Sequence, residues 1–138
     1  MLIKEYNKLT NEARSIREIV FVDEQGFQEE FDSVDEFATS LVMYDNDKAV
    51  ATCRYFKLEN DTAYLIGRIA VLKEYRGKGL GAMIIRSAEE RILKLDVSKV
   101  LIHAQCRAKE FYEKCGYECF GDIDYEEDCP HIWMKKIL

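Results

Sequence analysis

Arg76-Gly77-Lys78-Gly79-Leu80-Gly81 sets three glycines on alternate positions directly ahead of an apolar, helix-periodic run. Each glycine costs a helix roughly 1 kcal/mol against alanine, so three at one helix start answer a demand made by something else. Peptide N–H groups at a helix start lack partners inside the helix and carry partial positive charge. With Gly77, Gly79 and Gly81 in place, an anionic group can approach those N–H groups with no Cβ in the way, and Arg76 and Lys78 add charge at the rim. The chemistry this pattern suits is phosphate binding.

The elements around that turn follow from periodicity. "LIKEY" near the start alternates as a strand. Thr10 and Asn11 offer helix caps, and Ala13, Ile16, Ile19 and Val20 follow at helical spacing until Gly26. Residues 27–38, acidic with interleaved phenylalanines, read as a loop or a short second helix. Residues 39–72 read as three strands with turns at Asp45–Asp47 and Glu59–Asp61, an antiparallel meander. The helix after the glycines turns Leu80, Met83, Ile84, Ala88, Ile92 and Leu95 inward, and Arg86, Glu90 and Lys94 outward. "KVLIHA" is a strand. Residues 108–115 form a short helix with Ala108, Phe111, Tyr112 and Cys115 inward, ended by Gly116. Two closing strands complete an α/β (α+β) order, a mixed sheet with helices on its faces.

Three phosphate-binding patterns compete for the turn. The G-x-x-x-x-G-K-[S/T] loop does not fit, since Gly77-Lys78 is followed by Gly79 and the upstream glycine is missing. Gly77-x-Gly79-x-x-Ala82 matches a dinucleotide fingerprint by letter, but its context is wrong. Leu72 to Arg76 separate strand from glycine, the next strand ends in His103-Ala104-Gln105 with no acid for a ribose, and the preceding strands form a meander. The third pattern is Arg76-x-x-Gly79-x-Gly81 between a strand and a long helix. Here "IAVLKEYRGKGLGAMII" resembles the GNAT superfamily of N-acetyltransferases and its [Q/R]-x-x-G-x-[G/A] signature. "AKEFYEKCGYE", about 30 residues on, resembles the family's segment on the helix after the fifth strand. "FVDEQGF", "HAQ" and "HIWMKK" are similar to the ElaA-like branch.

That resemblance implies a single domain over residues 1–138, with a mostly antiparallel sheet of about seven strands splayed between strands 4 and 5. It implies acetyl-CoA as cosubstrate, its pyrophosphate on Arg76, Gly77, Lys78, Gly79, Leu80 and Gly81. The pantetheine arm would lie along Ile69, Ala70 and Val71, with Ala108 and Phe111 nearby. It also implies direct transfer of the acetyl group to an amine in a ternary complex, which disfavours Cys106 as a covalent acyl carrier. Tyr112 matches the family's general-acid tyrosine, facing a leaving thiolate whose reference pKa is near 8.5. A lysine-like acceptor of pKa ~10.4 must lose a proton first. Many relatives place a glutamate on the fourth strand for this, where this chain has Gly67 and Arg68. Glu24, His103, Glu127 and His131 are the candidates, with Glu24 and His103 foremost. A catalytically silent CoA-binding sensor on the same fold is the rival reading.

Composition sets the bounds. At 138 residues and 48% hydrophobic, the chain can bury a core without disulfides or metals. No apolar run reaches the ~18 residues a membrane helix needs, and the N-terminus lacks the marks of a secretory signal. A cytoplasmic protein with no membrane partner is expected. The net charge of -6 argues against nucleic acid and mildly favours a cationic small molecule. Five cysteines without a CxxC pair predict free thiols and no metal site. A homodimer is compatible with all of this.

Overall fold

The computed structural model describes residues 1–138. Seven strands form one sheet, in chain order β1 (Leu2–Tyr6), β2 (Thr39–Asp45), β3 (Lys48–Lys57), β4 (Tyr64–Val71), β5 (Lys99–Gln105), β6 (Glu118–Glu126) and β7 (Cys129–Ile137). Their spatial order is β1-β2-β3-β4-β5-β7-β6, antiparallel everywhere except between β4 and β5.

Three α-helices cover the sheet: α1 (Asn11–Arg17), α2 (Leu80–Leu93) and α3 (Lys109–Lys114). Thr10 caps α1 by accepting the Ala13 amide at 3.2 Å. The chain then widens into a π-helical segment, Glu18–Glu24, so the helical pattern to Gly26 is one rod of two pitches. Residues 27–38 are a loop with a single 3₁₀ turn at Ser33–Glu36.

The sheet's alternation divides the core into two. Leu41, Met43, Val50, Cys53 and Ile66 face α2, where Leu80, Ile84, Ile85, Ala88 and Ile92 are buried against them. On the other face Ile16, Val20 and Phe21 pack on Ala70 and Leu72. Met83 and Leu95, expected inward, are 39% and 53% exposed, and Ile85 is buried instead. The buried stripe follows the i, i+4 row from Leu80 to Ile92; Met83 lies off its edge, and Leu95 lies past the end of the helix at Leu93. Phe111, also expected inward, is 38% exposed.

Candidate active site

Parallel β4 and β5 are joined only at Tyr64–Val100 and Leu65–Leu101. Beyond Leu65 the two strands part, which is the expected splay. From Ile66 to Val71 the β5-facing edge of β4 therefore borders a gap. On its other edge, β4 carries a bulge: two residues, Arg68 and Ile69, stand opposite Cys53, and Arg68 takes a left-handed φ of 51°. Such a bulge bends and twists a strand locally. The gap opens into a cleft of about 1270 Å³, whose lining includes Ile69, Ala108, Tyr112, His103 and Arg68.

The glycine turn lies between β4 and α2. Gly77 and Gly79 have φ of 79° and 77°, and a Cβ at either would meet nothing within 4 Å. The turn is thus left-handed twice over, with open space above it. Gly79 is the N-cap of α2 and has no side-chain cap. The first helical bond runs from the Met83 N–H to the Gly79 carbonyl at 3.1 Å, and the amides of residues 77–82 donate to no backbone carbonyl. Tyr75 pins the turn by donating to Asp45 at 3.0 Å. Arg76 does not stand free at the rim, because its guanidinium donates to the Val71 carbonyl at 2.9 Å and pairs with Glu24 at 2.9 Å. Gly81 serves a different need from its neighbours. A Cβ there would stand 3.1 Å from the ring of Phe111, so the missing side chain lets α3 approach the start of α2.

Phe111 in turn packs edge-on to Tyr112, with ring centroids 5.1 Å apart. Tyr112 lines the cleft, and its hydroxyl has no hydrogen-bond partner within the protein. Burial raises its pKa, with the Cys115 and Cys53 thiols adding to the effect, so it remains a neutral donor. Cys53, on the strand behind, is an inert thiol pushed up to about 12 by burial.

The far wall of the cleft is built on β5, β6 and β7. His103 stacks on Trp133 at 4.4 Å and on His131 at 4.7 Å between centroids. Its Nε2 meets Asp124 at 2.7 Å and its Nδ1 meets Glu126 at 3.3 Å. Burial would lower the His103 pKa, but the hydrogen bonds to Glu126 and Asp124 outweigh it and hold the ring charged to higher pH. The same bond to His103 lowers the pKa of Glu126, against burial and with help from the His131 charge. His131, 3% exposed, directs Nδ1 to the Cys129 carbonyl at 2.9 Å and Nε2 to Glu126 at 3.1 Å.

The acidic loop supplies the remaining side. Glu30 and Asp35 clamp Arg17 at 2.8 and 2.7 Å, Asp32 and Asp35 hold Arg54, and Arg68 reaches Glu30 at 3.0 Å. Three carboxylates thus balance three guanidinium groups, with Arg17 and Glu30 almost fully buried. Buried ions are tolerated when paired in this way. Arg54 keeps one buried Nε without a partner.

Of the sequence candidates, the structure brings Tyr112, His103, His131, Ile69 and Ala108 to one cleft. Glu127 also borders it, but its carboxylate accepts the Gln28 and Glu29 amides. Glu24 lies outside the cleft lining, engaged with Arg76. Sequence reasoning missed Glu126, Asp124, Trp133 and Arg68. Its available signal was the i, i+2 pairing of polar or aromatic residues on three strands, 103 and 105, 124 and 126, 131 and 133, which puts each pair on one face.

A family profile described as "Acetyltransferase (GNAT) domain" matches residues 8–138. Among curated relatives, the uncharacterized N-acetyltransferase YjcF of Bacillus subtilis (strain 168) is 33% identical over 130 residues, spanning 88% of this chain and 87% of its own. Among solved structures, Escherichia coli ElaA superposes with a TM-score of 0.85 at 26% identity, covering 99% of each chain. An aminoglycoside 6'-N-acetyltransferase complexed with coenzyme A shares the fold, with a TM-score of 0.78 at 16% identity over 99% of this chain and 97% of the other.

Proposed function

This chain belongs to the GNAT acetyltransferase family, and from that premise we propose that it moves the acetyl group of acetyl-CoA to a primary amine by direct transfer. The observation that carries this reading is the splay of β4 from β5. It leaves the end of β4 unpaired on the strand that leads to a turn of unpaired amides, and it opens the cleft lined by Ile69 and Tyr112.

The residues fit the cosubstrate on the structure's own terms. Open space over Gly77 and Gly79 suits a diphosphate, which the amides at the start of α2 would bind as they bind anions generally. The free edge at Ile69 to Val71 suits the amide groups of a pantetheine arm, and an N–H there would polarise an acyl carbonyl as oxyanion donors do. Leu80 anchors the turn from the core. Acetyl-CoA supplies an acyl group activated as a thioester. Tyr112 holds a proton that it can share with a thiolate, since burial keeps its phenol neutral. The wall of His103, Glu126 and His131 faces the acceptor side of the cleft, and we assign to it the reception of the amine, whose proton leaves through water. Glu24 positions Arg76 rather than meeting the acceptor.

Thermal shift with acetyl-CoA, CoA, NAD and ATP, followed by a free-thiol assay over polyamine, lysine-like and small-amine acceptors, tests the reading. Stabilisation by acetyl-CoA and CoA with thiol release is expected. Stabilisation by NAD or ATP alone would overturn it, and binding without turnover on any amine would leave a silent CoA sensor.

A further inference from the structure

Four ring nitrogens on the cleft's far wall face four oxygen acceptors. His103 Nε2 faces Asp124, His103 Nδ1 and His131 Nε2 face the two oxygens of Glu126, and His131 Nδ1 faces the Cys129 carbonyl. A neutral imidazole carries one N–H and one lone pair. Two neutral rings therefore leave two nitrogen lone pairs aimed at carboxylate oxygens, which is repulsive. Two extra protons cure the repulsion as imidazolium–carboxylate pairs, with the two rings 4.7 Å apart. One divalent cation cures it with a single charge centre.

The geometry suits that solution. One ligand atom from each of His103, Glu126 and His131 lies within 4.8 Å of the other two. The two nitrogen–oxygen spans to Glu126 are 3.3 and 3.1 Å. Adjacent ligands on a tetrahedral ion with bonds of about 2.1 Å stand about 3.4 Å apart, so each nitrogen is near ligand spacing from one Glu126 oxygen, and the three-atom set, within 4.8 Å, closes on an ion by drawing in. Each ring's other nitrogen is held as metal-ligating histidines are held: Nε2 of His103 by a carboxylate and Nδ1 of His131 by a backbone carbonyl. The site is rigid on one side and open on the other. His131 is almost fully buried, Trp133 backs His103, and the Glu126 side chain is 46% exposed toward the cleft.

We propose that His103 Nδ1, His131 Nε2 and the Glu126 carboxylate bind one divalent transition-metal ion, with Asp124 and the Cys129 carbonyl as outer supports. Two imidazoles and one carboxylate form a borderline donor set that suits zinc, and three protein ligands leave a coordination position open to the cleft. Binding of the ion does not depend on acetyl transfer. The proposal departs from the expectation of no metal site, which rested on cysteine spacing and took no account of imidazoles brought together from two strands.

The test uses chelator-treated full-length protein titrated with zinc by calorimetry and with cobalt by visible absorption. One equivalent is expected to bind, with d–d bands of a four- or five-coordinate nitrogen–oxygen site and no thiolate charge-transfer band. Glu126→Gln, a substitution at a half-exposed carboxylate, is expected to abolish the one-equivalent uptake while thermal unfolding stays cooperative. Asp124→Asn is expected to weaken uptake about 10- to 100-fold, the usual loss for an outer-shell partner. Failure of the unsubstituted protein to take up one equivalent, uptake unchanged in Glu126→Gln, or a thiolate band would each overturn the proposal.

Discussion

The Glu127 carboxylate accepts the backbone N–H of Gln28 with both oxygens, each at 3.1 Å. It also accepts the Glu29 amide at 3.2 Å. A residue in the β6–β7 turn thereby holds the loop that roofs the cleft, although the two are 99 residues apart in sequence. Glu127 does this from a left-handed φ of 54°, an unusual posture for a non-glycine residue. Because the contact is exposed, Glu127→Ala is expected to cost global stability less than about 1 kcal/mol. Amide exchange at Gln28 and Glu29 is expected to accelerate about tenfold, since local opening no longer breaks those bonds. Exchange followed residue by residue by NMR checks this, and unaltered protection would show the loop is held by Glu30 and Asp32 alone.

Tyr112→Phe removes a hydroxyl that bonds to nothing in the protein, so the fold is expected to lose under about 0.5 kcal/mol. Turnover is expected to fall about 100-fold or more, the range for loss of a positioned proton donor, with acetyl-CoA affinity nearly unchanged. Single-turnover kinetics beside calorimetry separates the two effects. Equal rates in both proteins would remove Tyr112 from the chemistry.

Gly79→Asp places a carboxylate at the turn where an anion is expected and forces a side chain into φ of 77°. Gly79→Ala carries only the second burden, about 1–2 kcal/mol of strain. The stabilising shift given by acetyl-CoA is expected to vanish in the aspartate variant and to persist, reduced, in the alanine variant. Gly81→Ala is expected to behave otherwise, disturbing Phe111 at 3.1 Å and so destabilising the α2–α3 contact before any cosubstrate is added. Identical binding by all three variants would refute the division of roles among the glycines.

Acid stability reads the ionic loop. Burial would raise the Asp35 pKa, but the hydrogen bond and charge of Arg17, then those of Arg54, bring it down to about 2 from 3.8. A carboxylate with a lowered folded pKa stabilises above its unfolded value and loses that contribution as pH falls through the folded one. The loss at Asp35 therefore falls between about pH 4 and pH 2 and amounts to about 2 kcal/mol. Glu30 runs the other way: burial raises its pKa despite Arg68 and Arg17, so its protonation above pH 4.5 favours the fold on acidification. Unfolding temperature from pH 6 to pH 2 is expected to hold or rise slightly, then drop below pH 4. Asp35→Asn is expected to start lower at pH 6 and show a smaller drop. A variant that keeps the full drop would assign the acid transition elsewhere.

The glycine turn and the meander are legible in sequence because their causes are local. Left-handed φ at residues 77 and 79 demands glycine on the spot, and the turns at 45–47 and 59–61 join strands that pair with their neighbours. The acidic segment 27–38 is illegible for the opposite reason. Its order comes from Arg17, Arg54 and Arg68, scattered over three elements and 13 to 38 residues from the carboxylates they hold. The far wall is harder still, since His103 meets Asp124 and Glu126 through a strand that lies between β5 and β6 in space but last in the chain. Gly81 was readable as important and unreadable as to why, because only the packed structure reveals Phe111 over it.

The brief pairing of β4 with β5 makes the sheet a book of two leaves, β1 to β4 and β5 to β7, bound at Tyr64–Leu65. Glu127 is the clasp on the open edge, fastening the second leaf to a loop that Glu30 ties to the first. Both leaves also share one core with α2, so the clasp acts at the edge of a spine already packed. Losing that one exposed carboxylate would unfasten the loop from the second leaf without touching either cover.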